Sequence, residues 1–287
     1  MTAKLQPYSC PITRATPTAF VLLLDQSGSM AEYTVHDGVR QTKAQALSMA
    51  TNALVDELVD RCRRHDGIHD YYHIAVLGYS GRGVRNLMGG HGFVTPSELA
   101  LRTVPLQVIT RERTLPDGST VLTSTTNNRW VEPLATGVTP MYEALGHALQ
   151  MVETLCDSEQ FRSSYPPTVI NITDGEATDA TREQLLGLAT RIRTTSTLYG
   201  NTLLMNINLS RNMDSRAVVF PTSAEELPEI RHARLLYEMS SELPSRYSSM
   251  VMHLRSDVAC GPFRAMGYNA LIGDAIAMMN IGTISSW

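Results

Sequence analysis

The chain has 287 residues, a formal net charge of −4 and 43% hydrophobic residues. A chain of this length buries a substantial core, its apolar fraction excludes disordered and fibrous classes, and its weak negative charge supplies no field that would draw it to a nucleic-acid backbone or an anionic membrane. Lys4 and Lys43 are the only lysines, so arginine carries nearly all the positive charge.

The opening residues, MTAKLQPYSCPITRATPTAF, lack an apolar stretch of secretory-signal length behind a basic start. No run is long and apolar enough to span a bilayer. Cys10, Cys62, Cys156 and Cys260 form no CxxC pair, which fits reduced thiols and predicts a cytoplasmic protein.

Residues 19–25, AFVLLLD, form a continuous apolar run ending in an acid, the pattern of a buried parallel strand that delivers a polar residue at its carboxyl end. From Val39 to about Arg64, apolar residues including Ala46, Met49, Leu54, Leu58 and Val59 recur at helical spacing, with Gly67 as a stop. YHIAVLGY at 72–79 reads as a second strand, followed by a Gly-rich loop, GYSGRGVRNLMGGHGF. Between Thr95 and Val138 polar and apolar residues alternate around Pro116-Asp117-Gly118, which predicts an inserted hairpin. Pro140 suits the first turn of a helix from Met141 to Cys156, and TVINITD at 168–174 is another buried strand ending in an acid. A helix over roughly 178–195, a strand at 202–209, a short strand at Val218 to Phe220, a helix near 229–242 and a helix from Asn269 to Met279 complete the pattern. Strands alternating with helices predict an α/β fold, a doubly wound, mostly parallel sheet flanked by helices. The expected organisation is one domain over 1–287, with a core of about 15–245, an insertion of about 81–137 and a C-terminal extension of about 246–287.

In such a sheet, loops leaving the carboxyl ends of the strands gather at one edge, and ligands sit there. Three of these loops carry oxygen donors: Asp25, Ser27 and Ser29 in DQSGS, Thr139 in GVTPMYEAL, and Asp174 in ITDGEATD. Two carboxylates and three hydroxyls suit a hard cation such as magnesium, which takes oxygen ligands and keeps several waters. Taken singly, Asp and Ser at these places also serve as helix and turn caps. Other clusters point less clearly to chemistry. Cys62, His65, Asp66, His69, Asp70 and His73 match no zinc-finger spacing. Gly78-Tyr79-Ser80-Gly81-Arg82 misses GxSxG at its last position, and neither lysine sits in a Walker loop.

The DxSxS sequence after a hydrophobic strand, a Thr-Pro one helix before the next strand, and a strand ending in TDG together resemble the metal-ion-dependent adhesion site of von Willebrand factor A domains, over roughly residues 15–245. The resemblance implies that Ser27, Ser29 and Thr139 lie in or near the coordination shell of one Mg2+ or Mn2+ ion. It implies that Asp25 and Asp174 act directly or through water, and that one position remains for an acidic side chain of a partner protein. Neutral hydroxyls donate little charge, so such a cation stays electrophilic enough to take an outside Glu or Asp. The family commonly has two glycines before the Thr-Pro, whereas Gly137-Val138 stands here, and valine lacks the positive-φ freedom of glycine. The segments DYYHIAVLGYSG, RWVEPLATGVTPM and YNALIGDAIAMMNIGT are similar to stand-alone bacterial members of the tellurium-resistance type. Those are encoded beside a protein kinase and a PP2C-type phosphatase, which implies a partner in bacterial signalling, stress or defence. The expectation is a binding module and not an enzyme. Two alternatives stay open: a magnesium-dependent phosphoryl-transfer enzyme with Asp25 as nucleophile or ligand, and a scaffold that binds through residues 81–137.

Overall fold

The structure, a computed structural model, describes residues 6–36, 39–90, 92–114, 120–209, 216–258 and 260–283. In chain order its elements are β1 (Thr18–Asp25), β2 (Tyr33–His36), β3 (Val39–Thr42), α1 (Lys43–Arg61), β4 (Tyr72–Ser80), β5 (Gly83–Asn86), α2 (Pro96–Ala100), β6 (Leu106–Thr114) and β7 (Thr120–Asn128). There follow α3 (Met141–Asp157), β8 (Thr168–Thr173), α4 (Arg182–Thr194), β9 (Leu203–Asn208), β10 (Val218–Val219), α5 (Arg231–Met239), α6 (Ser248–Leu254), β11 (Met266–Tyr268) and α7 (Ile272–Gly282).

The central sheet has seven strands in the order β10-β11-β9-β8-β1-β4-β5. The five inner strands run parallel, and the short edge strands β10 and β5 are antiparallel to their neighbours. This is the expected α/β architecture, a mostly parallel sheet flanked by helices. Every residue of β1 is buried, because alternate side chains serve opposite faces. Phe20, Leu22 and Leu24 join a cluster with α1 and α7, whereas Val21 and Leu23 join one with α3, α4 and α5. Each such fully buried side chain contributes about 1.5–3 kcal/mol, and the two-sided demand explains why β1 reads as an unbroken apolar run.

One polar chain crosses the second of these layers. The Tyr79 hydroxyl donates to Asn171 Oδ1 at 2.8 Å, Asn171 Nδ2 donates to Asn206 Oδ1 at 3.0 Å, and Asn206 Nδ2 donates to Ser240 Oγ at 3.0 Å. All four residues are fully buried. Because the hydroxyl is both desolvated and bonded, Tyr79→Phe is expected to lower stability by about 1–2 kcal/mol, leaving Asn171 Oδ1 short of a donor. A urea melt would show the drop in midpoint; an unchanged midpoint would mean that another donor replaces the hydroxyl.

Several boundaries depart from the sequence expectation. The first long helix starts at Lys43 and not at Val39, because Val39–Thr42 pairs antiparallel with Tyr33–His36, with Val39 opposite His36 and Thr42 opposite Tyr33. Thr42 then caps α1 in a box with Gln45, which fixes the helix start by satisfying exposed backbone donors. The glycine-rich segment after β4 is not all loop: Gly83–Asn86 pairs antiparallel with β4 as the sheet edge. The hairpin expected near residue 117 is present as β6 and β7, paired from Leu106↔Asn128 to Thr114↔Thr120; Pro116-Asp117-Gly118 lies outside the described residues. It docks on α1 through Asp56, whose carboxylate accepts from Asn128 and from Trp130 Nε1 at 2.7 Å. Within the expected C-terminal extension, β11 enters the central sheet between β9 and β10, and α7 packs against α1, β8 and β11. Among the described residues no helix is long and apolar enough to cross a membrane.

Candidate metal site at the carboxyl edge of the sheet

β1 and β8 are paired in register from Phe20↔Thr168 to Leu24↔Ile172, so both strands end level and deliver Asp25 and Asp174 to the same edge. The turn after β1 is held tightly. Asp25 Oδ1 accepts from the Ser27 backbone N–H at 2.8 Å, and its Oδ2 accepts from the Thr173 hydroxyl at 2.7 Å. Ser27 Oγ lies 3.1 Å from Ser29 Oγ, and the Ser29 hydroxyl donates to Asp174 Oδ1 at 2.5 Å. Four of the five expected residues are therefore linked in one run of hydrogen bonds, with the Ser27 backbone N–H joining Asp25 to the hydroxyls.

Thr139, the fifth, arrives on a loop tied to both others. Gly28 N–H donates to Gly137 O at 2.9 Å, Thr136 N–H to Gln26 O at 2.8 Å and Gly81 N–H to Thr136 O at 3.2 Å. Thr139 N–H donates to the Thr178 hydroxyl, and Thr178 N–H returns a bond to Thr139 O. A methyl group added at Gly175 would lie 3.8 Å from Thr139 Oγ1 and 3.9 Å from Ser29 Oγ. The two hydroxyls thus border a common space that the missing side chain of Gly175 leaves open. Gly137 carries the positive φ of this loop, +71°, while Val138 keeps an ordinary backbone and stands 57% exposed. The difference between Gly-Val here and Gly-Gly in the resembling family therefore falls at a position that needs no glycine.

The donor set fits a small divalent cation. Ligands about 2.0–2.1 Å from an octahedral ion stand about 2.9 Å apart at neighbouring vertices, close to the 3.1 Å between the Ser27 and Ser29 hydroxyls. All five donors are oxygen, which selects magnesium, manganese or calcium over zinc. Burial pushes the Asp25 carboxyl upward, against the bonds from Ser27 and Thr173, and neighbouring Asp174 adds to the rise. A cation at this edge would offset the Asp25 charge that burial opposes.

Three participants were not anticipated from sequence. Thr173 is completely buried, bonds Asp25 Oδ2 and accepts the Gly175 N–H at 3.1 Å. Lys43, the first residue of α1, is 3% exposed; its ammonium donates to Asp174 Oδ2 at 2.9 Å and to Glu32 Oε2 at 2.7 Å. Burial works against the Lys43 charge, but these two bonds outweigh it and hold the pKa above the ordinary lysine value. Glu32 is the third participant. For Lys43 the sequence signal was the scarcity of lysine in an arginine-rich chain. Asp179, by contrast, is occupied elsewhere: its carboxylate accepts from the backbone N–H groups of Tyr142 and Glu143 at the start of α3. Within the His/Cys cluster, Asp70 caps α2 through Ser97 and His69 pairs with Asp66.

No protein-family model matches the chain, and no curated protein matches it. Among solved structures, it is similar to a von Willebrand factor type A protein from Catenulispora acidiphila, at 17% identity and a TM-score of 0.41, over 68% of this chain and 34% of that one. A second likeness is to the vWF domain of the type V pili tip protein Mfa5 from Porphyromonas gingivalis, at 14% identity and a TM-score of 0.33, over 58% of this chain and 43% of that one. A third is to an uncharacterized membrane spanning protein from Vibrio fischeri, at 12% identity and a TM-score of 0.27, over 77% and 85% of the two chains. The chain thus spans less than half the length of the first two.

Proposed function

We infer that this chain is a von Willebrand factor A-type binding module in which Asp25, Ser27, Ser29, Thr139 and Asp174 hold one Mg2+ or Mn2+ ion, and that the ion recruits a Glu or Asp of a partner protein. The observation that carries this reading is that the Ser29 and Thr139 hydroxyls border the space beside Gly175, with Ser29 bonded in turn to Asp174 and lying 3.1 Å from the Ser27 hydroxyl. When bound, the ion supplies Lewis acidity toward an external carboxylate. The protein's part is to orient the hydroxyls through Asp25 and the cross-loop backbone bonds, so that little reorganisation accompanies binding. A nucleophilic role for Asp25 is opposed by its environment, since both oxygens are already engaged and the residue is 1% exposed. The partners to look for first are a kinase or PP2C-type phosphatase of a bacterial stress or defence system.

A pull-down from extract tests the reading, comparing wild type in magnesium, wild type in EDTA and Asp25→Ala in magnesium. A protein retained only by wild type in magnesium is expected. Equal retention in all three arms would remove the ion from recognition and move the interface elsewhere, with the β6–β7 hairpin the first place to look.

A further inference from the structure

Lys43 does more than neutralise a buried acid. Its ammonium lies between Asp174, whose side chain is fully buried, and Glu32, whose side chain is 65% exposed. The helix that carries it is fixed at this point, by the Thr42 capping box and by the Lys43 N–H donating to Glu32 O at 2.8 Å. Asp174 offers one oxygen to Ser29 and the other to Lys43, so the carboxylate that would serve a cation is already saturated by a cation belonging to the chain. A divalent ion and an ammonium within a few ångströms repel strongly when both are shielded from water. Glu32 provides the alternative partner, at the solvent-facing side, to which the flexible lysine stem can swing without losing its second ion pair.

We propose that Lys43 is a tethered counter-cation of the metal site, bound to Asp174 when the metal is absent and released toward Glu32 when it is present, so that it weakens the site's affinity for divalent ions and keeps the metal-free protein folded. The proposal rests on the metal-binding reading above. It makes the site a threshold device: occupancy follows the free concentration of the divalent ion instead of being saturated at trace levels. It also accounts for a lysine at a position where arginine, the chain's usual cation, would present a broad planar fork that could not withdraw along the same path.

The test uses Mn2+ alone as probe, on the full chain, with free Mn2+ read by its paramagnetic resonance signal and thermal melts recorded with and without the metal. Wild type, Lys43→Met, Lys43→Gln and Asp25→Asn are compared. Lys43→Gln keeps a donor toward Asp174 and serves if the methionine variant does not fold. Removing the charge is expected to tighten Mn2+ binding about tenfold or more, to lower the metal-free melting temperature and to enlarge the upward shift that Mn2+ produces. Affinity that is unchanged or weaker in the folded Lys43 variants, with wild type still binding, overturns the role of Lys43 and leaves the metal site standing. Absence of Mn2+ binding in wild type and in both Lys43 variants overturns the two together, whereas a wild type too weak to measure beside a Lys43 variant that binds supports the proposal.

Discussion

Asp25→Asn is expected to weaken Mn2+ binding by about 100-fold, with metal-free stability equal to wild type or up to about 1 kcal/mol higher. The two effects separate because of how Asp25 is held. Asparagine keeps the oxygen that accepts the Ser27 N–H, and its amide can donate to the Thr173 hydroxyl, which then turns its own hydrogen to Gly175 O, 3.1 Å away. No buried polar group loses its partner, yet the negative charge is gone, together with its conflict with burial and with Asp174. Asp25→Ala differs: it strands the Ser27 N–H and is expected to cost about 1–3 kcal/mol. Titrating each variant with Mn2+ by calorimetry and unfolding each in urea with EDTA reads both quantities. Undiminished Mn2+ affinity in Asp25→Asn would sink the assignment of Asp25 to the metal site. A large loss of metal-free stability in the same variant would mean that its charge stabilises the fold through partners other than those described.

The parts of this architecture that show in the sequence are those where one physical demand dominates. β1, β4, β8 and β9 are buried on both faces, so apolar runs mark them, and the acids at their ends stand out by contrast. What the sequence hid were places where two demands compete. Residues 33–42 carry valines that can be read as the start of a helical stripe; in the structure Val35 and Val39 are exposed on the antiparallel pair of β2 and β3. The Asp37-Gly38 pair in this stretch of sequence is a dipeptide that favours hairpin turns, a signal that the reading of 39–64 as one helical stripe leaves unused. β11 has only three residues and relies on its neighbours β9 and β10 for definition, so nothing local announces it. The five oxygen-bearing side chains expected at this edge stand out in the sequence by their places: Asp25 ends β1, Ser27 and Ser29 follow it, Asp174 follows β8 and Thr139 comes two residues before α3. Lys43 does not, because its meaning lies in a contact 131 residues away.

Gly137→Ala is the substitution expected to damage the fold most at the site, by about 2–4 kcal/mol. Two causes act together. With φ at +71°, any side chain is strained, and an added Cβ would lie 2.6 Å from Gly81 Cα and 2.9 Å from Gly81 N, both backbone atoms that cannot rotate away. The reverse contact is equally tight, since a Cβ on Gly81 would come within 2.8 Å of Gly137 Cα. The strand-end loop after β4 and the loop leading to α3 are therefore packed backbone to backbone, and relief requires one of them to move. Gly137 O accepts the Gly28 N–H in the Ser27–Ser29 turn, and Thr139 is two residues on, so displacement separates the serine hydroxyls from the threonine hydroxyl. Mn2+ affinity should fall along with the urea midpoint. Val138→Gly is the matched control, restoring the glycine pair of the resembling family at a position with ordinary φ and 57% exposure. Its cost should stay within about 1 kcal/mol, most of it from added freedom in the unfolded chain. If Gly137→Ala and Val138→Gly proved equally mild, the close approach of the two loops would be softer than the glycine pair requires. The reverse ranking would instead place the loop's strained residue at 138.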